Sequence, residues 1–162
     1  MNFAVVVQRL CDVDVDFVVI GGWAAIFHGS AHVTNDLDIC YARDSANLKK
    51  LAVCLAPYHP RPRGLAEGLP FVWDETTLAN GTIFTLATDV GIIDLLAEVA
   101  GIGGYNDVLA SSIEVEAFGR RIRALTLKSL IRAKKAAGRP KDLLQLPELE
   151  GLMEVREDEQ AN

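Results

Sequence analysis

Residues 17–41, FVVIGGWAAIFHGSAHVTNDLDICY, constrain the fold more than any other stretch of the chain. They open on an apolar run, Phe17 to Ile20, of the length of a buried strand. Gly21-Gly22 follows, and then Trp23 to His28, whose composition predicts a helix that stops at Gly29. A polar connector, Ser30 to Asn35, leads into a second short strand in which Asp36 and Asp38 alternate with Leu37 and Ile39. Side chains two apart on a strand face the same way. Asp36 and Asp38 therefore project together while Leu37 and Ile39 enter the core. Neighbouring carboxylates repel unless a cation lies between them, so the pair is a candidate divalent-metal site. The chain contains its own control. Asp12-Val13-Asp14-Val15-Asp16 repeats the alternation but lacks the glycine and late glutamate of a calcium loop, and it reads as a solvated turn.

The remaining segments read as short strands interspersed with helices, an α/β (α+β) pattern. Asn2 to Cys11 reads as a helix with Phe3, Val6, Val7 and Leu10 on one face. Asp44 or Ser45 caps a helix to about Ala56, with Leu48, Leu51, Ala52 and Leu55 as its buried stripe and Pro57 as its stop. Residues 57–70 hold four of the six prolines and read as an irregular loop, whose Arg61 and Arg63 are candidate anion contacts. A short strand at Leu69–Trp73 and a helical turn at Thr76–Asn80 come next. Gly81–Ala87 and Gly91–Val99 read as strands around a turn at Thr88–Val90. The second of them carries Asp94 between Ile92-Ile93 and Leu95-Leu96, where a lone acid is costly to bury without a partner. Gly101–Gly104 reads as a flexible crossing, Tyr105–Ser111 as a helix, and Ile113–Ala117 with Arg121–Ala124 as a hairpin. Thr126 caps a helix to about Ala137. Gly138-Arg139-Pro140 breaks it, and a last helix starts at Lys141, with a frayed acidic end from Glu154. Residues 1–125 are thus expected to form the core and residues 126–162 a helical segment of the same compact unit.

Charge narrows the function classes. With 16 basic and 22 acidic residues the net charge is −6, which argues against a general nucleic-acid coat. Nine of the basic residues nevertheless fall between Arg120 and Lys141 with no acid among them, so a local anion site is expected there. Cys11, Cys40 and Cys54 have no metal-ligand spacing and sit in apolar surroundings, which fits a reducing cytoplasm. His28, His32 and His59 lack zinc spacing. No signal peptide or membrane span is visible, and Trp23 reads as a core residue rather than a stacking platform.

Three acids on neighbouring strands, a glycine pair opening a helix and a basic segment downstream fit metal-dependent phosphoryl transfer. Backbone amides at Gly21-Gly22 can approach phosphate oxygens as closely as only glycine permits. No GxxxxGK[ST] motif occurs. At these residues the chain resembles the polymerase-β-type nucleotidyltransferases, and among them the AbiE-like toxin branch. The resemblance rests on the strand before Gly21-Gly22, on Thr34-Asn35-Asp36-Leu37-Asp38-Ile39, on Ile93-Asp94-Leu95-Leu96, and on residues 130–142, LIRAKKAAGRPKD. It implies a small mixed sheet with flanking helices and a C-terminal helical segment, residues 1–125 being the catalytic core, and Asp36, Asp38 and Asp94 as the metal-binding catalytic acids. It also implies Mg²⁺ as cofactor, as two ions with Mn²⁺ as a substitute. Asp94 would be the general base, Lys134 the triphosphate contact, and Arg139, Lys141 and Asp142 a closing motif over the nucleotide. Gly22 stands where many members carry serine, although the AbiE-like branch commonly has two glycines. His32 stands where relatives often carry arginine, with Ser30 and Thr34 as substitute hydroxyl donors.

The expected partners are a nucleoside triphosphate, an RNA or tRNA acceptor and a cognate antitoxin protein. The expected activity is transfer of a nucleoside monophosphate to a hydroxyl, as the toxin of a toxin–antitoxin pair. An antibiotic nucleotidyltransferase of lincosamide or aminoglycoside type is the second enzyme reading. A non-catalytic antitoxin or interaction module of the same fold is the third.

Overall fold

The computed structural model describes residues 2–162. Helix α1 (Phe3–Asp12) buries Phe3, Val6, Val7 and Leu10, the stripe its spacing predicts. Strand β1 (Phe17–Ile20) is buried along its whole length and runs straight into α2 (Gly21–Phe27). After the connector comes β2 (Asp36–Tyr41), then α3 (Ser45–Leu55), whose N-cap Asp44 accepts from the Asn47 amide. Pro57 ends α3 through one further 3₁₀ turn at Ala56–Tyr58. Next are β3 (Arg61–Pro62), α4 (Glu75–Ala79), β4 (Ile83–Thr88) and β5 (Gly91–Leu96). The short pair β6 (Glu98–Val99) and β7 (Gly103–Gly104) precedes α5 (Tyr105–Ala110). The hairpin β8 (Ser112–Ala117) and β9 (Arg120–Leu125) leads to α6 (Leu127–Ala137) and α7 (Pro140–Ala161).

Seven strands form one mixed sheet in the order β3-β4-β5-β2-β1-β9-β8. Strand β1 is antiparallel to β2, and β2 is parallel to β5. The central strands bury alternate or continuous apolar residues, Val18, Val19, Leu37, Ile39, Ile93 and Leu95 among them. The C-terminal helices join the sheet end that carries the acids: α6 packs on α2 and α7 packs on α6.

Four expectations are corrected. The proline-rich loop contains a two-residue edge strand, since Arg61 and Pro62 pair with Ala87 and Leu86 of β4. Leu69–Trp73 is not a strand: Pro70 lacks a ladder donor, and the Trp73 indole donates to the Ala52 carbonyl (2.9 Å), tying this segment to α3. Gly91–Val99 breaks after Leu96, and Glu98–Val99 turns to pair with Gly103–Gly104, so the crossing is partly ordered as a small sheet. The acidic C-terminus is helical to Ala161 despite Pro147 within α7. Buried Leu146 and Leu149 anchor this helix, and Arg156 ties it to His28.

One polar group at the centre of the α1–α3 layer has no sequence signature. Asn47 is buried, accepts from the Asp16 amide (2.7 Å), and donates to the carbonyls of Asp16 (3.1 Å) and Ala42 (2.8 Å). It thus pins the chain on both sides of the β1–β2 pair. Asn47→Ala leaves buried backbone groups without partners, and urea denaturation is expected to show a loss of about 1–3 kcal/mol. A stability equal to wild type would assign those groups to water instead.

Candidate active site

The site is built where β1 turns into α2. Gly21 makes that turn with φ +63°, a left-handed conformation that side chains resist. A Cβ at Gly21 would also run into the Asp38 carboxylate. Gly22 faces Thr34, and a Cβ there would lie 2.6 Å from the Thr34 hydroxyl oxygen. The Gly-Gly pair is therefore matched to its neighbours, and a serine at position 22 would require Thr34 to move.

Asp36 and Asp38 lie two residues apart on β2, and Asp38 pairs directly with Asp94 on the parallel strand β5. Burial, then the charges of Asp94 and Asp36, push the Asp38 carboxyl up to about 7, while Lys141 and Lys134 oppose the rise. One Asp94 oxygen, Oδ1, is buried and has no hydrogen-bond partner. A desolvated acid cluster with an orphaned oxygen is an environment that a cation would stabilise. Among the described residues, however, no three His, Cys, Asp or Glu side chains are arranged to hold an ion by themselves. Magnesium commonly takes one or two carboxylates and completes its shell with phosphate oxygens and water. A site of hard oxygens that needs its substrate to complete the shell fits that ion.

An open cleft of about 630 Å³ fronts these acids. Of the residues expected in the site, Gly21, Gly22, Thr34, Asp36, Asp38, Lys134, Arg139, Lys141 and Asp142 line it. Asp94 stands beside Asp38 in the sheet without lining the cleft. Ser30 is also outside the lining: its hydroxyl donates to Glu148 on α7 (2.8 Å), which also accepts from the Ala31 amide (2.7 Å). Those two bonds hold the Glu148 carboxyl below its usual range. Of the two loop arginines, Arg63 lines the cleft and Arg61 does not, its guanidinium donating to the Leu69 carbonyl (2.9 Å). Leu144, Gln145 and Glu148 line it as well. Their contribution is invisible in sequence, because it depends on where α7 packs.

Two of the cations lining the cleft, Arg139 and Lys134, are held by a further carboxylate. Asp142 is 2 % exposed and accepts from Arg139 Nε (2.6 Å) and from Lys134 Nζ (3.4 Å). Burial alone would raise the Asp142 carboxyl, but the Arg139 hydrogen bond and the two positive charges lower it. Burial lowers the Lys134 ammonium, with Asp142 and then Asp38 opposing the shift. Lys128 is exposed and Lys135 pairs with Glu150 (2.6 Å), so Lys134 is the α6 lysine that faces the cleft.

No protein-family model and no curated protein matches this chain. Three solved structures share its fold over almost the whole length. One is a Thermotoga maritima protein assigned as a nucleotidyltransferase, with TM-score 0.55, 16 % identity, and coverage of 97 % of this chain and 89 % of that one. A lincosamide antibiotic adenylyltransferase with lincomycin bound has TM-score 0.59 and 12 % identity over 91 % of this chain and 93 % of its own. The antibiotic-resistance factor ANT(2'')-Ia has TM-score 0.54 and 13 % identity over 97 % and 90 %. The fold is the nucleotidyltransferase fold. Identities this low speak to architecture, which agrees with the mixed sheet, flanking helices and C-terminal helix expected from sequence. Among the described residues no helix is long and apolar enough to cross a membrane.

The raised Asp38 carboxyl has a consequence for stability. Its folded value of about 7 lies above the ordinary 3.8, so ionising it opposes folding. The penalty is absent below about pH 4, grows as the pH rises between the two values, and is complete above about pH 7. Asp38→Asn removes it, a gain of about 1.4 kcal/mol for each pH unit that separates the two values. Thermal melts should therefore show the variant above wild type at pH 8 and level with it at pH 4. Added Mg²⁺ should raise the wild-type melting temperature at pH 8 and leave the variant's unchanged. A variant that melts no higher than wild type at pH 8 would remove Asp38 as a source of strain.

Proposed function

We propose that this chain is a metal-dependent nucleotidyltransferase that moves a nucleoside monophosphate from a nucleoside triphosphate to a hydroxyl acceptor. The observation that carries the reading is the desolvated Asp38–Asp94 pair beside the glycine turn, fronted by a cleft with cationic side chains. Asp36 and Asp38, with Asp94, would hold Mg²⁺, as two ions or with Mn²⁺ in their place. Bound there, the metal supplies charge neutralisation of the phosphates and of the attacking and leaving oxygens.

The chain's own residues do the rest. Gly21 and Gly22 let phosphate oxygens approach the backbone. Lys134, Arg139 and Lys141 offset the triphosphate charge, and Asp142 keeps the first two in place. Asp94 accepts the proton of the acceptor hydroxyl. The hydroxyl oxygen then bonds to the α-phosphorus, the bond from that phosphorus to the bridging oxygen breaks, and pyrophosphate leaves with its electron pair. Thr34 lines the cleft at Gly22 and is the hydroxyl placed to meet the substrate, whereas Ser30 must first release Glu148 to do so.

For the acceptor, the resemblance to AbiE-like proteins supports an RNA or tRNA end, with the chain as the toxin of a toxin–antitoxin pair and a cognate antitoxin as partner. A second reading, modification of an antibiotic hydroxyl, is supported by the fold shared with the lincosamide adenylyltransferase. Incubation with each labelled nucleoside triphosphate and Mg²⁺, in the presence of total RNA, lincomycin or an aminoglycoside, separates them by where the label goes.

Two substitutions test the roles. Asp94→Asn should leave nucleotide binding largely intact and reduce turnover by about 10²–10⁴-fold, the usual cost of removing a general base. Loss of binding would make Asp94 a primary metal residue, and unimpaired turnover would remove it from the mechanism. Lys134→Ala should weaken binding of a non-hydrolysable triphosphate by about 1–3 kcal/mol in calorimetry. Unchanged affinity would leave the phosphates to Arg139 and Lys141.

A further inference from the structure

Asp38 is shared by two spaces. Besides the polar cleft, it borders a smaller cavity of about 180 Å³ between the end of the sheet and α6. The walls of the cavity are aliphatic, with Ile20, Leu96, Leu125 and Leu130 as its floor. The room exists because three positions facing it carry only a methyl group, Ala133 and Ala137 on α6 and Ala100 on the crossing after β6. The crossing cannot collapse onto the helix. A Cβ at Gly101 would already lie 2.7 Å from the Ala136 methyl, and the Gly101 carbonyl accepts from Arg132 Nε (2.5 Å). At the mouth stand Asp38, Lys134, Arg139 and Asp142, all of which also line the polar cleft. An apolar niche opening directly behind a cation pair is complementary to a ligand with a flat apolar body on a polyanionic tail.

We propose that this niche receives the nucleobase of the nucleotide, while the polar cleft receives its phosphates. The inference rests on the nucleotidyltransferase reading and adds to it where the base lies and what selects it. The niche walls are aliphatic and carry no side-chain donor or acceptor beyond the mouth. Selection there works by size and apolar contact rather than by hydrogen-bond readout. Lys134 and Arg139, held by Asp142, stand at the boundary between the two compartments, where base and phosphate parts of one ligand meet.

Filling the niche tests this. Ala137→Leu closes it from α6 and Ala100→Leu from the opposite wall. Both positions are exposed at their outer face, so neither change forces a buried backbone to move. Calorimetry in Mg²⁺ compares a non-hydrolysable nucleoside triphosphate with inorganic tripolyphosphate, on proteins whose folding is verified by thermal melting. Each variant is expected to bind the nucleotide about 10-fold or more weakly than wild type, the scale of a steric change in an apolar pocket, and tripolyphosphate as wild type does. Variants that bind nucleotide normally would overturn the assignment, as would equal weakening toward both ligands. A wild-type protein that binds tripolyphosphate as tightly as nucleotide would also overturn it, while leaving the phosphate cleft standing. A wild type that binds neither ligand would overturn the nucleotide reading itself, and the niche with it.

Discussion

The Asp38–Asp94 pairing is the constraint on which the rest of this structure depends. Two carboxylates are placed opposite each other on parallel strands whose other residues, Asp36 apart, are mainly apolar. Such an arrangement opposes folding whenever both are ionised and no cation is near. The surrounding structure compensates for that cost. Gly21 gives the Asp38 carboxylate space that no other residue could give. Lys134 and Lys141 approach from the C-terminal helices and make its charge less unfavourable. The sheet on either side is closed by aliphatic packing, so the strands cannot slide to separate the acids without exposing Leu37, Ile39, Ile93 and Leu95.

What the sequence made legible is what depends on local periodicity. The α1 and α3 stripes, the β1 run, the Asp36–Asp38 alternation and the Thr126 cap all follow from local spacing or local cap chemistry, and the structure has each of them. Misreadings fall where a side chain reaches across the molecule. Trp73 is drawn from a strand-like segment to the Ala52 carbonyl. The helix end expected to fray is retained by Arg156, 128 residues from its partner His28. In the site, the acids, the glycine pair and Lys134 were visible as residues, yet the Glu148 bonds to Ser30 and Ala31 were not. No local signal pairs residues 118 positions apart. Trp23 is a core residue as expected, packing in an aromatic cluster with Phe3, Phe27 and Phe118.

Helix α7 touches the site's approach at three heights. Arg139 and Asp142 at its start secure Lys134, Glu148 in its middle holds the Ser30–Ala31 turn, and Arg156 near its end grips the end of α2. The last contact fixes a tautomer. His28 Nε2 donates to the Leu125 carbonyl (2.7 Å), so Nδ1 carries the lone pair that accepts from Arg156 (3.0 Å). Burial, reinforced by the Arg156 charge, lowers the His28 pKa and favours this neutral form, although the Leu125 bond opposes the shift. The connector that delivers Asp36 and Asp38 is thus held to one helix where it leaves α2 and again at its Ser30–Ala31 turn. The C-terminal segment is a frame for strand β2 as well as a wall of the cleft.

The charges left over at the cleft complete this picture. Asp142 is shared by Lys134 and Arg139, and Glu148 is taken by Ser30 and Ala31. Among the described residues, Asp36, Asp38 and Asp94 make no side-chain hydrogen bond or ion pair, and neither do Arg63 and Lys141 across the same space. Asp36 and Asp38, with Asp94 beside them, and the two bases have therefore not neutralised one another. The acids leave a cationic demand, and Arg63 and Lys141 an anionic one. A cation alone satisfies the first and leaves the second, and an anion alone does the reverse. Both demands are what the proposed nucleotidyltransferase reading would meet, with Asp36, Asp38 and Asp94 toward a cation and Arg63 and Lys141 toward a polyanion.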